Sequence, residues 1–485
     1  MSRVLVGLKP ERVFHYFEEI SKIPRCSGHE EKIINYLADL GKKLGLETVQ
    51  DEALNVIIKK PGTPGYENSP TVILQGHMDM VCEKEESSSH DFSKDPIKLK
   101  VEGDYITADG TTLGADDGIA VAMCLALLES KDIPHPPLEV LITADEEAGM
   151  NGAKGLNPKN LSGKILINID SEEEGKALVS CAGGENDLVT IPIEWQNPKG
   201  SEAYYIKTVG LQGGHSGMEI NKGRGNANRI LARVLSYVKS QCNVELANIE
   251  GGSKSNAIPR NGLALVVIDK KDENTFLKAV KTMEETIQKE LIVSEPDFSL
   301  AVEKANEKVD RVFAEDSFER VMAALMLIPT SVQSMSMEIA GLVESSCNMA
   351  IVKTEADKVT ILSSLRSSKG SLKEFISQQI QTVAKLVEGS WDRQSSYPAW
   401  EYKEDSKIRE IFKKVYKEQF GKELEIVAIH AGVECGLFDE KFDGSLDMIS
   451  FGPNMYGVHT PQEKLSISSV ERTYQFLLAV LKELK

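Results

Sequence analysis

The chain has 485 residues, of which 41% are hydrophobic and 6% aromatic, a composition typical of a globular protein with more than one core. Its 56 Lys and Arg against 74 Asp and Glu give a formal net charge of −18, which disfavours nucleic acid and anionic membranes as partners. No stretch approaches the roughly 20 apolar residues of a membrane span, and the charged N-terminal segment lacks the apolar core of a secretory signal.

The cysteine pattern favours a reducing compartment. Seven cysteines are scattered along the chain without a CxxC pair, at positions 26, 82, 124, 181, 242, 347 and 435. An odd number with no repeated spacing is not the pattern of a disulfide framework. We therefore expect reduced thiols and a cytoplasmic location, and we interpret Cys82 as a packing residue.

The first part of the chain predicts alternating helices and strands. Two amphipathic helices open it, the second introduced by a capping box of Ser27 and Glu30. Strands are predicted at Asn55–Lys59 and Thr71–Gln75, followed by "GADDGIAVAMCLALLES", a turn leading into a helix apolar enough to be buried. "PPLEVLITADEE" and "GKILINID" predict two more strands. These apolar runs predict an α/β fold with a mostly parallel sheet covered by helices.

From about Asn186 the pattern changes to alternating strands and charged amphipathic helices. The order helix, two strands, helix occurs twice, roughly over Asn226–Leu291 and Phe318–Leu386, which predicts an inserted α+β lid domain made of two similar units. The α/β pattern returns after the polar connector "EGSWDRQSSYPAWEY". We therefore divide the chain into a first domain in two parts, residues 1–186 and 398–485, and a lid domain, residues 187–397.

Acidic and imidazole side chains follow several predicted strands of the first domain, and one lies in the late loop "GPNMYGVHTPQE". These residues are His77, Asp79, Asp116, Asp117, Glu146, Glu147, Asp170 and His459. Any one pair alone is more often a solvated loop, but sites in parallel α/β sheets lie at the carboxyl ends of the strands. Carboxylates crowded at one edge repel one another unless cations join them. The donor types predict a site for zinc, cobalt or manganese.

The same segments carry a family resemblance. "GHMDM", "GADDG", "ADEEAG", "NID" and "GVHTPQE", in this order and spacing, resemble the dinuclear zinc aminoacylase and carboxypeptidase superfamily, and more closely the aminoacyl-histidine dipeptidases, the cytosolic PepD-like peptidases. The resemblance covers essentially the whole chain, including "GGHSG" and "GGSKSNAIPR" in the lid and "HAGVECGLF" near the end. It implies a zinc-peptidase-like fold and metal-dependent hydrolysis of Xaa-His dipeptides, in the broadest case with β-alanyl-histidine among the substrates.

The resemblance also implies a ligand set. Asp116 would bridge two divalent cations, with zinc as the first expectation and cobalt or manganese as alternatives. One cation would add His77 and Asp170, and the other would add Glu147 and His459. The peptide bond that follows Asp116 would be cis.

The remaining site residues take their roles from the same resemblance. Asp79 would orient His77, and Glu146 would be the general base that activates a water between the cations and then protonates the leaving amine. In the lid, His215 would stabilise the oxyanion. Three further positions would bind substrate, namely Asn256, Arg366 and Gly432.

Two other interpretations stay open. A tripeptidase or an N-acyl-amino-acid deacylase would use the same centre, and a non-catalytic metal-binding protein could share the fold. The intact Glu146 counts against the last of these, because a purely structural site has no use for a carboxylate that binds no metal. The expected partner is a small peptide, with a homodimer compatible, and the role of His430 is left open.

Overall fold

The structure is a computed structural model of the chain and describes residues 3–485. The helices are α1 (Glu11–Ile20), α2 (Glu31–Lys43), α3 (Ala115–Glu129), α4 (Asn151–Gly155), α5 (Ala227–Gln241), α6 (Glu273–Leu291), α7 (Glu315–Leu327), α8 (Gly370–Leu386), α9 (Lys407–Phe420), α10 (Glu434–Lys441) and α11 (Ile467–Glu483). Within residues 3–485, no helix is long and apolar enough to cross a membrane.

The strands alternate with these helices along the chain. They are β1 (Glu47–Gln50), β2 (Val56–Lys60), β3 (Val72–His77), β4 (Leu99–Glu102), β5 (Tyr105–Ala108), β6 (Leu138–Thr143), β7 (Ile165–Asn168), β8 (Lys176–Cys181), β9 (Gly183–Pro192), β10 (Trp195–Gln196), β11 (Glu202–Val209), β12 (Gly214–His215), β13 (Val244–Gly251), β14 (Ala257–Ile258), β15 (Gly262–Ile268), β16 (Ser299–Lys304), β17 (Val312–Phe313), β18 (Ser331–Met335), β19 (Val343–Thr354), β20 (Lys358–Ser367), β21 (Ser390–Tyr397), β22 (Glu425–Ile429), β23 (Asp447–Ser450), β24 (Met455–Tyr456) and β25 (Lys464–Ser466).

The chain forms two compact units. The first comprises the described part of Met1–Ser180 together with Tyr402–Ala428 and Val433–Lys485, and the second comprises Cys181–Glu401 and Ile429–Gly432. The domain boundaries placed after residues 186 and 397 stay predictions, because compactness alone does not show where a segment folds on its own.

An eight-stranded sheet lies at the centre of the first unit, in the order β1-β2-β6-β3-β7-β23-β8-β22. The pairs β6–β3, β3–β7 and β7–β23 are parallel, whereas β1–β2, β2–β6 and β23–β8 are antiparallel. Strands β3 and β6 are buried along their whole length, as is nearly all of α3. The α/β fold predicted from the apolar runs is confirmed, with its parallel pairs at the centre of the sheet.

A nine-stranded sheet forms the second unit, with the order β16-β11-β15-β13-β19-β20-β9-β21 and β18 paired to β19. The predicted repeat of helix, two strands and helix is present as α5-β13-β15-α6 and again as α7-β19-β20-α8. Each copy adds two strands to its half of the sheet, and the halves meet at β13 and β19 through the pair Gly251 and Val352. The first copy is inserted between β9 and α7 of the second, where β10 and β17 pair as the chain enters and leaves it.

The predicted capping box is wrong. Helix α2 begins at Glu31 and has no side-chain cap. Ser27 Oγ donates instead to Asp79 Oδ2 at 2.7 Å, and the buried Glu30 accepts the backbone N–H of Asp145 at 3.1 Å. Ser27 therefore bonds to a strand-end carboxylate, and Glu30 is shared between Asp145 and the local backbone N–H of Gly28 at 2.9 Å, so the two side chains do not form a capping box.

The expectation that all cysteines are reduced is also wrong. Cys26 and Cys82 form a disulfide, so Cys82 is not only a packing residue. The two segments run side by side, with an isolated β-bridge between Cys26 and Met80. A separation of 56 residues without a motif hides such a pair from sequence reasoning. The other five cysteines are not disulfide-bonded.

Candidate metal centre

Parallel pairing brings the ends of three strands together in the first unit. His77 on β3 lies opposite Thr143 on β6, and Gln75 on β3 lies opposite Asn168 on β7. The segments that follow these strand ends therefore start at one edge of the sheet. They carry four of the predicted site residues, namely Asp79, Glu146, Glu147 and Asp170.

Asp116 lies between the two predicted histidine ligands. Its Oδ1 is 3.1 Å from His77 Nε2, and its Oδ2 is 3.1 Å from His459 Nε2. Asp170 Oδ1 is 3.5 Å from His77 Nε2, and Glu147 Oε1 is 2.9 Å from His459 Nε2. The result is two donor sets that share Asp116, which we call the His77 trio (with Asp170) and the His459 trio (with Glu147). Each oxygen of Asp116 faces a different trio, as a bridging ligand requires.

The start of α3 positions Asp116. The peptide bond between Asp116 and Asp117 is cis, and both residues have non-helical backbone angles. Asp117 Oδ2 accepts the backbone N–H of His77 at 3.2 Å. A Cβ at Gly76 would lie 2.5 Å from that oxygen, so only glycine lets the start of the helix pack against the end of β3.

The surroundings of both histidines stabilise positive charge. Burial opposes a charged His77, yet Asp170 and Asp116 raise its pKa well above the usual value. Hydrogen bonds to Asp116 and Glu147 raise the pKa of His459 to about 11. Burial, with those carboxylates nearby, raises the pKa of Asp170 to about 6. Imidazole nitrogens and carboxylate oxygens are ligand types that zinc, cobalt and manganese accept, so the residues present fit two divalent cations.

Asp79 contacts more than the histidine it was predicted to orient. Its Oδ1 is 3.3 Å from His77 Nδ1 and accepts the backbone N–H of Glu146 at 3.0 Å, while Oδ2 accepts that of Glu147 at 3.2 Å. Burial disfavours its charge, but hydrogen bonds from His77 and Ser27 lower the pKa of Asp79 to about 2. Asp79 therefore fixes both the imidazole and the turn that carries the glutamate pair.

Glu146 is placed differently from the other carboxylates. One of its oxygens lies within 4.8 Å of ligand atoms of His77 and Glu147, but it belongs to neither trio that shares Asp116. Burial raises its pKa well above the usual value, with Asp170 and Glu434 adding to the shift. A carboxylate that holds a proton strongly beside two cation positions is suited to general acid–base work.

Arg25 supports the site, although no sequence pattern marks it. The side chain is buried, and its Nη1 donates to the carbonyl oxygens of Met78 at 3.0 Å and Asp79 at 2.9 Å. Its Nη2 donates to the carbonyl oxygen of Gly114. One guanidinium thus joins the end of β3 to the turn before α3, and a lone Arg in "SKIPRCSG" carries no signal of this.

A second missed group is the buried carboxyl of Glu434, the first residue of α10. Its Oε2 accepts Gln75 Nε2 at 2.6 Å and Thr143 Oγ1 at 2.8 Å, and Gln75 Oε1 in turn accepts Asn168 Nδ2. These polar side chains connect the ends of β3, β6 and β7 just before the candidate ligands. In "HAGVECG" the glycines suggested a role, whereas nothing in the motif marks the glutamate as a buried contact of the strand ends.

In the second unit, the backbone defines the tautomer of His215. Its Nδ1 accepts the backbone N–H groups of Gly217 at 3.2 Å and Met218 at 3.1 Å. Burial and the charge of Arg366 lower the pKa of His215. The ring is therefore neutral with its proton on Nε2, a hydrogen-bond donor of the kind that stabilises an oxyanion.

Arg366 lies close to this histidine within the second unit. It is 8% exposed, and its Nη1 donates to Tyr397 Oη at 2.9 Å. Within the described residues 3–485, its buried Nε has no hydrogen-bond partner. A Cβ at Gly217 would lie 3.3 Å from that Nε and 3.1 Å from His215 Cε1, so glycine keeps the two side chains together. A buried guanidinium with a donor to spare is suited to a carboxylate.

Asn256 also lies in the second unit, on an exposed loop between β13 and β14. Its carbonyl oxygen accepts the backbone N–H of Ser216 at 2.9 Å. Asn256 and His215 both line a cavity of about 890 Å³. The structure therefore brings two of the predicted lid residues to one cavity.

Gly432 and His430 lie near Arg366 in the same unit. A Cβ at Gly432 would lie 2.5 Å from Tyr397 Cε2, so this glycine makes room for the aromatic ring that Arg366 contacts. His430 is buried with its Nε2 2.7 Å from Ser346 Oγ, and burial together with Arg366 lowers its pKa to about 3. A histidine held neutral in this way packs beside Arg366 without repelling it.

Comparison with known proteins identifies the class to which this fold and site belong. Residues 73–483 match Peptidase family M20/M25/M40. The chain belongs to this family and is a peptide hydrolase.

Individual relatives extend the similarity to the whole chain. The chain is 37% identical over 483 residues to the cytosol non-specific dipeptidase of Escherichia coli (strain K12), a match that covers 99% of each protein. A crystal structure of aminoacylhistidine dipeptidase from Vibrio alginolyticus matches with a TM-score of 0.94 and 40% identity, covering 98% of this chain and 97% of that one. Aminopeptidase PepT from Bacillus cereus ATCC 10987, at 18% identity and a TM-score of 0.57 over 98% and 99% of the two chains, shares the fold alone. The family inferred from the motifs is confirmed.

Proposed function

We propose that the chain is a metal-dependent dipeptidase that hydrolyses free dipeptides, Xaa-His dipeptides among them. The observation that carries the proposal is the Asp116 carboxylate, each of whose oxygens faces one histidine and one further carboxylate. Two relatives similar over nearly the full chain are named as dipeptidases, one as a cytosol non-specific dipeptidase and the other as an aminoacylhistidine dipeptidase. The His77 trio and the His459 trio would each hold one divalent cation.

Bound cations would polarise the scissile carbonyl and lower the pKa of the attacking water. The residues of the chain position the ligands and transfer the proton. Asp79 keeps His77 in place through the ring nitrogen that faces away from Asp116. Glu146 takes the proton of the attacking water and passes it to the leaving amine. Zinc is the proposed metal, with cobalt and manganese as alternatives.

The lid residues would act on the substrate. His215, neutral and protonated on Nε2, donates to the carbonyl oxygen as it gains negative charge. Arg366 receives the C-terminal carboxylate through donors that the protein leaves available, and Asn256 binds the substrate backbone. Gly432 maintains the space that Tyr397 occupies beside Arg366.

A cytoplasmic location and a small peptide as partner belong to the same proposal. The Escherichia coli relative is named as a cytosol enzyme, and the net charge of −18 disfavours nucleic acid. A homodimer is compatible with this function, and no part of the proposed chemistry depends on it.

One substrate panel tests the function. The purified chain is assayed with Xaa-His and other dipeptides, a tripeptide and an N-acetyl amino acid, before and after chelation and after reloading with zinc, cobalt or manganese. We expect dipeptide hydrolysis that chelation abolishes and at least one metal restores. Full activity in protein that elemental analysis shows to lack divalent metal would overturn the proposal. Faster cleavage of the tripeptide or of the N-acetyl amino acid would replace it with one of the alternatives.

A further inference from the structure

The carboxylate of Glu463 makes an unusual set of contacts near the proposed centre. The side chain is 2% exposed and lies at the end of the loop between β24 and β25. Its Oε2 and Oε1 each accept two backbone N–H groups from consecutive residues. The donors are Leu113 at 2.7 Å, Gly114 at 3.0 Å, Ala115 at 2.8 Å and Asp116 at 3.3 Å.

These donors form a site for one negative charge. Gly114 has a φ of +69°, which turns the chain so that successive N–H groups point the same way at the start of α3. Arg25 donates to the carbonyl oxygen of Gly114 from within the same buried region. Burial lowers the pKa of Arg25, and the charge of Glu463 is the largest influence that opposes this shift. Burial raises the pKa of Glu463, while the backbone hydrogen bonds from Gly114 and Leu113 oppose this shift. Each carboxylate oxygen therefore has two hydrogen-bond donors.

The loop that ends at Glu463 also carries His459. It is closed by a turn in which the backbone N–H of Glu463 donates to the carbonyl oxygen of Thr460 at 3.1 Å. The His459 side chain is 48% exposed, so packing around the ring does little to hold it. His459 and Asp116 are 343 residues apart in the chain, yet Glu463 joins the loop of one to the backbone of the other.

The His77 trio has an independent support. Asp117 Oδ2 accepts the backbone N–H of His77, and Asp79 contacts the far nitrogen of the His77 ring. Neither contact involves the His459 loop. Loss of the Glu463 anchor would therefore release His459 while leaving His77 and Asp116 together.

We propose that Glu463 is a positioning residue that holds the loop of His459 against the Asp116 segment. Glu463 then supports the cation site of the His459 trio and not that of the His77 trio. This inference rests on the proposed two-cation function. Residues that support metal ligands without binding the metal typically change its affinity about 10- to 100-fold. For Glu463 that change falls on the His459 trio alone.

The test compares Glu463→Gln with Glu139→Gln as a matched control. Glu139 is also a buried glutamate of the first unit that accepts backbone N–H groups, from Ser162 at 2.8 Å and Gly163 at 2.9 Å. It lies near the start of β6, at the opposite end from the segment leading to Glu146. Glu463→Gln keeps the volume of the side chain but presents an amide NH₂ group to N–H donors.

Each protein is stripped with a chelator and titrated with Co²⁺ and with Zn²⁺ by isothermal calorimetry. Wild type and Glu139→Gln should bind two ions per chain with the same affinities. Glu463→Gln should bind one ion as wild type does and the second about 10- to 100-fold more weakly. His459→Ala should reproduce that pattern, and excess metal should restore kcat in Glu463→Gln with little change in KM.

Equal weakening of both sites in Glu463→Gln, or no weakening, would overturn the inference. A wild type that binds no divalent cation would overturn the proposed function instead, so the two failures are distinguishable. Circular dichroism checks that the variant is folded at the assay temperature. If it is not, Glu463→Asp, whose shorter carboxylate can still accept part of the donor set, must show the same one-sided loss.

Discussion

Replacing Glu434 by glutamine tests whether the buried carboxyl beneath the strand ends is protonated. The side chain is 0% exposed, and burial raises its pKa to about 8, although His77 and the hydrogen bond from Thr143 oppose the shift. Glutamine has the same shape as the protonated acid, and its carbonyl oxygen can accept both Gln75 Nε2 and Thr143 Oγ1. We expect Glu434→Gln to fold and to remove one titration from the folded state.

The sign and size of the effect follow from the pKa. Consider an acid whose pKa is higher in the folded state than in the unfolded state. Its contribution to stability is fully present at pH values below the pKa of the unfolded state. That contribution is lost as the pH rises through the pKa of the folded state. For Glu434 this window runs from 4.5 to about 8. At about 1.36 kcal/mol per pKa unit, the wild type should lose up to about 5 kcal/mol relative to the variant across that window.

The assay uses metal-free protein, because cations would change the charge near Glu434. The three tryptophans, Trp195, Trp391 and Trp400, all lie in the second unit, so fluorescence does not report on the first. Urea unfolding is therefore followed by hydrogen exchange of peptides that contain β3, at several pH values. Subtracting the unfolding free energy of the wild type from that of the variant cancels, to first order, the titration of the neighbouring groups that both proteins share.

The difference in unfolding free energy should be near zero at pH 4.5 and should grow until about pH 8. Glu434→Ala should show the same pH dependence with a constant penalty of about 1–3 kcal/mol for the lost acceptor. A difference between Glu434→Gln and wild type that does not vary with pH, or that changes in the opposite direction, would refute the reasoning.

Three further expectations concern the catalytic assignments and the thiols. Glu146→Ala should retain two cations per chain and lose at least ~10² in kcat, whereas Glu147→Ala should lose one cation; elemental analysis beside turnover decides, and near-normal turnover of Glu146→Ala would reverse the assignment. Amidating the C-terminus of a dipeptide should lower kcat/KM sharply in wild type and little in Arg366→Met, and an equal drop in both would contradict carboxylate binding by Arg366. Thiol titration of the denatured chain should find five thiols, which is the seven cysteines minus Cys26 and Cys82, and all seven only after reduction.

Much of the fold could be predicted because its signals are local. The apolar residues at the start of β3 and those that follow the acidic first turn of α3 required burial, and the structure buries them. The order helix, two strands, helix could be recognised twice in the lid from its alternation of polar and apolar residues. The nesting of one copy inside the other could not, because which strands pair across the sheet depends on contacts between distant segments.

The supports of the site were invisible for the same reason. Arg25 lies in a segment with no pattern of its own, and the motifs that contain Glu434 and Glu463 do not show what these two glutamates contact. Each of the three side chains acts on backbone or side chains more than 50 residues away. The disulfide of Cys26 likewise depends on which segments the fold places side by side. A local pattern can also mislead where a tertiary contact is preferred to a local one. Ser27, for example, bonds to the strand-end carboxylate of Asp79 instead of capping α2.

The crowded carboxylates of the site nevertheless differ in the hydrogen-bond donors that they face, and this difference matches their proposed functions. Three of the carboxylates that support the site, Asp79, Asp117 and Glu463, accept backbone N–H groups, whereas Glu434 accepts two side-chain donors. The carboxylate oxygens of Asp116 instead face imidazole nitrogens, and no backbone N–H neutralises them. Backbone donors compensate part of the negative charge of these carboxylates, whereas the charge of Asp116 is left for the imidazoles and a cation. Glu146 fits neither group: within residues 3–485 its carboxylate takes part in no hydrogen bond or ion pair, and it lies outside the two trios that share Asp116. A carboxylate in this position is the one that remains available to move protons.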